Sequence, residues 1–173
     1  MTENTNSKFP SEADVVIVGV GGIVGSMIAY WLSELGQKNI VGLEKSSVIP
    51  SDIASTAHAS DFVYNTTHDK LGCWTTAYSR KFYEDNGFFL KKGSLEICRK
   101  GDDARWEELK RKVGSGKAFG TNVRLISAAE AKEKFPLLDE ESLMGAMWDP
   151  DAGLVIPRSQ DVVSFAVESA KDK

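Results

Sequence analysis

The sequence predicts an α/β fold that opens in a strand–turn–helix–strand unit and continues into a mixed segment of short strands and helices, an incomplete doubly wound architecture. Three observations predict it. A β-branched apolar run, Val15–Val18, leads into a turn with almost no side-chain bulk, containing Gly19, Gly21, Gly22 and Gly25. Ser26–Leu35 then reads as a helix closed by Gly36, glycine being the usual residue just past a helix end. Asn39–Leu43 is a second apolar strand with an acid, Glu44, at its end, 19 positions after Gly25.

The physics of such a unit is anion capture. Glycines let the backbone approach a pyrophosphate, and the helix N-terminus offers free N–H groups and a partial positive charge. An acid about 20 residues on can accept hydrogen bonds from an adenosine ribose. No window gives the G-x-G-x-x-G fingerprint cleanly. Counted from Gly19, the third glycine position holds Val24; counted back from Gly25, the first holds Val20. The turn is one residue longer than usual, and a glycine-rich turn that binds nothing is the competing reading.

The remaining elements follow in order. Val15–Val18 is expected to be buried on both faces of a parallel sheet. Val15–Leu32 carries no charge over 18 residues, but its glycines and strand-like first half argue against a membrane span. Residues 45–65 read as a loop rich in Ser and Ala, with Pro50 breaking any helix. The loop leaves the carboxyl edge of the sheet, where ligands of such folds bind. Lys45 and the small hydroxyl residues Ser51, Ser55, Thr56 and Ser60 lie on it, with His58 in the middle of the run.

Asp69–Asn86 has Leu71, Trp74, Ala77, Tyr78 and Phe82 at helical spacing and Gly87 as a stop, and the simplest role for its aromatics is core packing. Gly93–Cys98 alternates as a short strand. Asp102 or Asp103 can cap a helix with Trp106, Leu109 and Val113 on one stripe and Gly114 as its stop. Its charges, Glu107, Glu108, Lys110, Arg111 and Lys112, read as a solvated face. Gly114–Gly120 is a loop, and Val123 and Leu125 mark another strand. Ser127 and Glu130 form a capping box for a helix that ends before Pro136. Leu143–Trp148 is a strand, Asp149–Gly153 a turn, and Pro157–Ala170 a last helix.

The chain has 173 residues, enough for a real core, with 42% hydrophobic and 27% charged residues and a net charge of −4. That balance gives no general affinity for nucleic acid or anionic membrane. Cys73 and Cys98 have neither metal-ligand nor redox spacing, so they read as two buried thiols in a reducing, cytoplasmic setting. The polar start, MTENTNSKFPSE, reads as a disordered leader over residues 1–12, with residues 13–173 as the domain.

Taken together, DVVIVGVGGIVGSMIAYWL, Glu44, the run Ser55-Thr56-Ala57-His58-Ala59, and the later pieces GSLEI, LKRKVGSGKAFG, VRLISAAEAKEKFPLLD and LMGAMWDPDAGLVIPRSQ resemble one family. It is the D-amino-acid-oxidase-like FAD-dependent oxidoreductases, and within it the dimethylglycine and sarcosine dehydrogenases and oxidases. The resemblance implies a Rossmann-like FAD-binding start, with the ADP part on Gly19, Gly21, Gly22 and Gly25 and the ribose on Glu44. Lys45, Ser55 and Thr56 would complete the cofactor site. His58 matches the histidine attached covalently to the flavin in that group.

The implied reaction is oxidation of the C–N bond of an N-methylated glycine by hydride transfer to flavin. The electron acceptor, oxygen or an electron-transfer flavoprotein, stays open. The family's chains are several times longer, so the resemblance implies a fragment, a truncated product or a split enzyme whose partner chain supplies the catalytic remainder, inactive alone. Other readings are a non-covalent FAD amine or amino-acid oxidase, an NAD enzyme, and a non-catalytic nucleotide-binding subunit. His58 in its small-residue run has no use in an NAD enzyme.

Overall fold

A computed structural model describes residues 10–173; most of the expected leader, residues 1–9, lies outside the described residues. The chain divides into two compact units, one made of the chain up to Ser60 with Pro157–Lys173, the other of Asp61–Ile156.

In the first unit, β1 (Val15–Val18) and β2 (Ile40–Leu43) pair in parallel, Val15 opposite Ile40 and Val18 opposite Leu43. The crossover is α1 (Ile23–Glu34), which starts three residues before the sequence suggested because Gly22 serves as its cap. A helix from the chain's far end, α5 (Ser159–Lys171), packs along α1 and buries Val162, Val163, Ala166 and Val167. Ile17, Val20 and Ala29 form the core of this unit, with Leu32, Ile40 and Ala170 against it.

The expectation that β1 is buried on both faces is corrected here. Ile17 is buried, whereas Val16 is 55% and Val18 82% exposed. Alternate residues of a strand face opposite sides, and α1 and α5 cover only the side of Ile17. Among the described residues no helix is long and apolar enough to cross a membrane.

The second unit holds two antiparallel sheets. One orders β3 (Phe62–Val63), β8 (Gly153–Val155) and β4 (Phe89–Lys91). The other orders β5 (Ser94–Arg99), β7 (Leu143–Asp149) and β6 (Arg124–Ile126). Against β5 and β7 lies α3 (Asp103–Ala118), whose Leu109 and Val113 meet Cys98, Val123 and Met147 in the main core. A short α4 (Ala128–Lys134), opened by the Ser127–Glu130 capping box, buries Ala131 against Ile126 and Ala146.

Three expectations for this unit change. The helix expected to stop at Gly114 runs on to Ala118. A glycine inside a helix costs only about 1 kcal/mol, and at Gly116 the missing side chain makes room for Thr121, Thr66 and Val123. Not all of its charges are solvated: Lys112 is 14% exposed and paired with Glu96, which Arg105 also meets at 2.8 Å. The third change concerns α2 (Lys70–Asp85), capped by Asp69, which buries only Cys73. Trp74 and Tyr78 are 60% and 52% exposed and stack on each other at 5.6 Å. Their four-residue spacing is satisfied by that mutual contact rather than by a core.

A polar cluster fastens the turn between β7 and β8. Thr66 Oγ1 donates to Asp149 Oδ2 at 2.7 Å, and Asn122 donates to Asp151 Oδ2 at 2.8 Å. Burial by itself would raise the Asp151 carboxyl. The bonds from Lys91 and Asn122 outweigh it and hold the group below the ordinary aspartate range. Its folded pKa is therefore below the unfolded value of about 3.9. The stability it contributes is full above that value and disappears as pH falls through the folded one. Asp151→Asn should lower the urea midpoint at neutral pH, and the gap to the parent chain should close as pH drops below ~4. A gap that stays constant with pH would remove the carboxylate charge from the account.

Candidate functional site

The glycine turn begins where β1 leaves the sheet. Gly19 N donates to Leu43 O at 2.7 Å, and Val20 N shares the same oxygen at 3.2 Å. Gly19 takes φ +94°, open to glycine and strained for other residues. Val20, standing where a first glycine was expected, turns inward and is buried; Gly42 on β2 leaves the space, since a Cβ there would lie 2.8 Å from Val20 Cγ1. Gly25 lets the first turn of α1 close onto the strand, because a Cβ on it would overlap the Gly19 carbonyl oxygen.

Glu44 reaches back from the end of β2. Its Oε2 accepts from Gly21 N at 2.8 Å and its Oε1 from Ser46 N at 3.0 Å. The N–H groups of Ser46 and Gly21 hold its carboxyl below the usual carboxylate range, against a smaller opposing effect of burial. Ser51, which the sequence marked only as one of several small hydroxyls, proves central: its N donates to Gly21 O at 2.9 Å. The side chain is 1% exposed and lies at the Glu44 carboxylate, whose ionised form it helps to hold. Only its place eight residues past the second strand and next to Pro50 could have drawn notice.

The histidine run forms a 3₁₀ turn, Ser55–His58. Thr56 is the buried member and accepts from Ile23 N, the first amide of α1, at 3.0 Å. Ser55 and His58 are exposed on the same turn, and Lys45 is exposed beside Glu44. Gly22 caps α1 with Thr56 Oγ1 and Ala54 nearby. The amides of Gly22, Val24 and Gly25 have no acceptor among the described residues. Thus Gly21, Gly22, Glu44, Ser51 and Thr56 converge at the start of α1. Gly19 and Gly25 shape the turn from behind.

Open helix-terminal amides and a side-chain-free approach fit a phosphate-bearing ligand, with Glu44 beside them to accept from hydroxyl groups. Fold and site together define a dinucleotide-binding module of the oxidoreductase type. Residues 14–166 match the family DAO, FAD dependent oxidoreductase. The pyruvate dehydrogenase phosphatase regulatory subunit of Mus musculus, a mitochondrial protein, is 32% identical over 94% of this chain and 18% of its own. The mitochondrial sarcosine dehydrogenase of Homo sapiens is 27% identical over 91% of this chain and 17% of its own. Among solved structures, L-proline dehydrogenase from P. horikoshii superposes with a TM-score of 0.83 at 28% identity, covering 95% of this chain and 43% of that one. The chain belongs to the family of FAD-dependent oxidoreductases, and it spans less than a fifth of the length of the two relatives.

Proposed function

We propose that this chain is the FAD-binding N-terminal part of an oxidoreductase that removes a methyl group oxidatively from an N-methylated glycine such as sarcosine or dimethylglycine. The observation that carries the reading is the convergence of the α1 N-terminus, Glu44 and the His58 turn on one site. Gly22, Val24 and Gly25 would supply amides to the pyrophosphate, and Glu44, already ionised, would accept from ribose hydroxyls. His58, on an exposed turn, would bond through a ring nitrogen to the flavin 8α-methyl carbon, the methyl C–H giving its proton to water and its electron pair to the flavin, which oxygen dissolved in the buffer would then reoxidise. The bound flavin supplies the hydride acceptor. Substrate-binding residues and the electron acceptor would come from a further part of the polypeptide or from a partner chain. Cys73 and Cys98, both free thiols, fit a reducing compartment such as the cytoplasm.

Acid precipitation of the purified chain after incubation with FAD tests this. Flavin in the redissolved pellet is the expected result. His58→Ala should move all of it to the supernatant while leaving the unfolding transition in place; pellet flavin in that variant would exclude His58 as the attachment point. A second reading is favoured by the 32% identity to a phosphatase regulatory subunit: a non-catalytic subunit that keeps the nucleotide fold. Absence of flavin from both fractions would support it.

A further inference from the structure

We propose that Thr56 is a positioning residue: its hydroxyl fixes the His58 turn on the N-terminus of α1 and so sets where the imidazole meets the flavin. The proposal rests on the reading above that His58 faces that cofactor. Nothing local caps α1, since Gly22 has no side chain to do so. The first amide of the helix, Ile23 N, is satisfied instead from 33 residues away, by Thr56 Oγ1 at 3.0 Å. A residue chosen only for small size would not need that oxygen.

The turn that carries His58 cannot hold itself. It is a single 3₁₀ turn, closed by Ala57 N to Ala54 O at 3.0 Å and Ala59 N to Thr56 O at 3.3 Å. Such short pieces have poor hydrogen-bond geometry and little cooperativity. Ser55, His58 and Ala59 are exposed, whereas Thr56 is buried. The polar link from this turn to α1 is therefore the Thr56 oxygen. At three residues per turn, His58 lies two steps round from Thr56, which directs it away from the anchored side and leaves it exposed. The hydroxyl also keeps its own proton after accepting from Ile23 N. It can therefore pass the positive end of α1 outward to an anion, the two bonds polarising each other.

The test compares Thr56→Val, which keeps the shape and loses the oxygen, with Thr56→Ser, which keeps the oxygen. Three readouts are taken on the full chain: amide exchange at Ile23 and the His58 ring signals by NMR without cofactor, and the rate at which acid-stable flavin forms after FAD is added. In Thr56→Val, Ile23 should exchange about tenfold faster, as expected for a lost cap, and the His58 signals should move to free-histidine positions. Acid-stable flavin should form about tenfold more slowly while rapidly filtered, acid-labile flavin falls less. Thr56→Ser should restore all three. Unchanged His58 signals in Thr56→Val overturn the proposal, as does an unchanged attachment rate. If the parent chain forms no acid-stable flavin, the covalent reading fails by itself, and the cofactor-free signals still decide whether Thr56 holds the turn. Should Thr56→Val not fold, Thr56→Ala against Thr56→Ser makes the same comparison.

Discussion

Gly25→Val is expected to abolish flavin retention and to cost roughly 3 kcal/mol of stability, at the upper end of overpacking effects. Sequence reasoning places the harm in the pyrophosphate's path. The geometry places it earlier. A Cβ at Gly25 would overlap the carbonyl oxygen of Gly19 and approach Val20 Cα to 3.0 Å. Both obstacles are backbone, so no side chain can rotate away. Relief requires either lifting α1 from the strand or breaking the hydrogen bonds that Gly19 and Val20 both make to Leu43 O. Either would move the amides of Gly22, Val24 and Gly25 out of register. Gly25→Ala should already show most of the effect. Urea unfolding and flavin recovered after gel filtration measure the two losses, and a Gly25→Ala chain with unchanged midpoint and flavin content would refute the close approach.

Leu109→Ala should destabilise the unit formed by Asp61–Ile156 by about 3–4 kcal/mol, through lost burial and the cavity left behind. The side chain has no exposure and stands where α3 meets Cys98, Val123 and Met147. The strand residues are fixed by pairing with their neighbours: Cys98 stands opposite Gly145 on β7. Little around Leu109 can collapse inward. A change in unfolding free energy below ~1 kcal/mol would mean that the site closes far better than such cores usually do.

What could be read from the sequence was what lies close together along it. The strand Val15–Val18 with its glycine turn, the Asp102 cap and the Ser127–Glu130 box each depend on residues within a few positions of one another. β3, β4 and β8 have only two or three residues each, too few to display alternation. The extent of α3 depended on Thr66, Thr121 and Val123 gathering round Gly116, a packing reason invisible to a rule that stops helices at glycine. Helical spacing found α2 correctly but not the burial of Trp74 and Tyr78, because spacing says which residues share a face and not what covers it.

At the candidate site, the residue types were legible and their partners were not. Glu44 was read as a ribose acceptor, and its bond to Gly21 N spans 23 positions. Thr56 was read as one small hydroxyl among several, and its link to Ile23 spans 33. The irregular glycine spacing was visible, but its remedy, Val20 folded over Gly42, lies across two strands. Such pairings are set by the fold as a whole and leave no local period.

The placement of the two thiols has a practical consequence. Cys73 and Cys98 are both buried and both belong to Asp61–Ile156, while the unit that holds the glycine turn contains no cysteine. Burial, with the nearby Asp102 carboxylate adding to it, also raises the Cys98 thiol and keeps it in its unreactive protonated form. A thiol-reactive dye therefore labels this chain only when Asp61–Ile156 opens, and the labelling rate is a clock for that unit alone. Trp31, on α1 in the other unit, supplies a separate optical signal once Trp74, Trp106 and Trp148 are replaced by phenylalanine. With the two clocks running in one sample, the order in which the halves of the molecule come apart can be read directly.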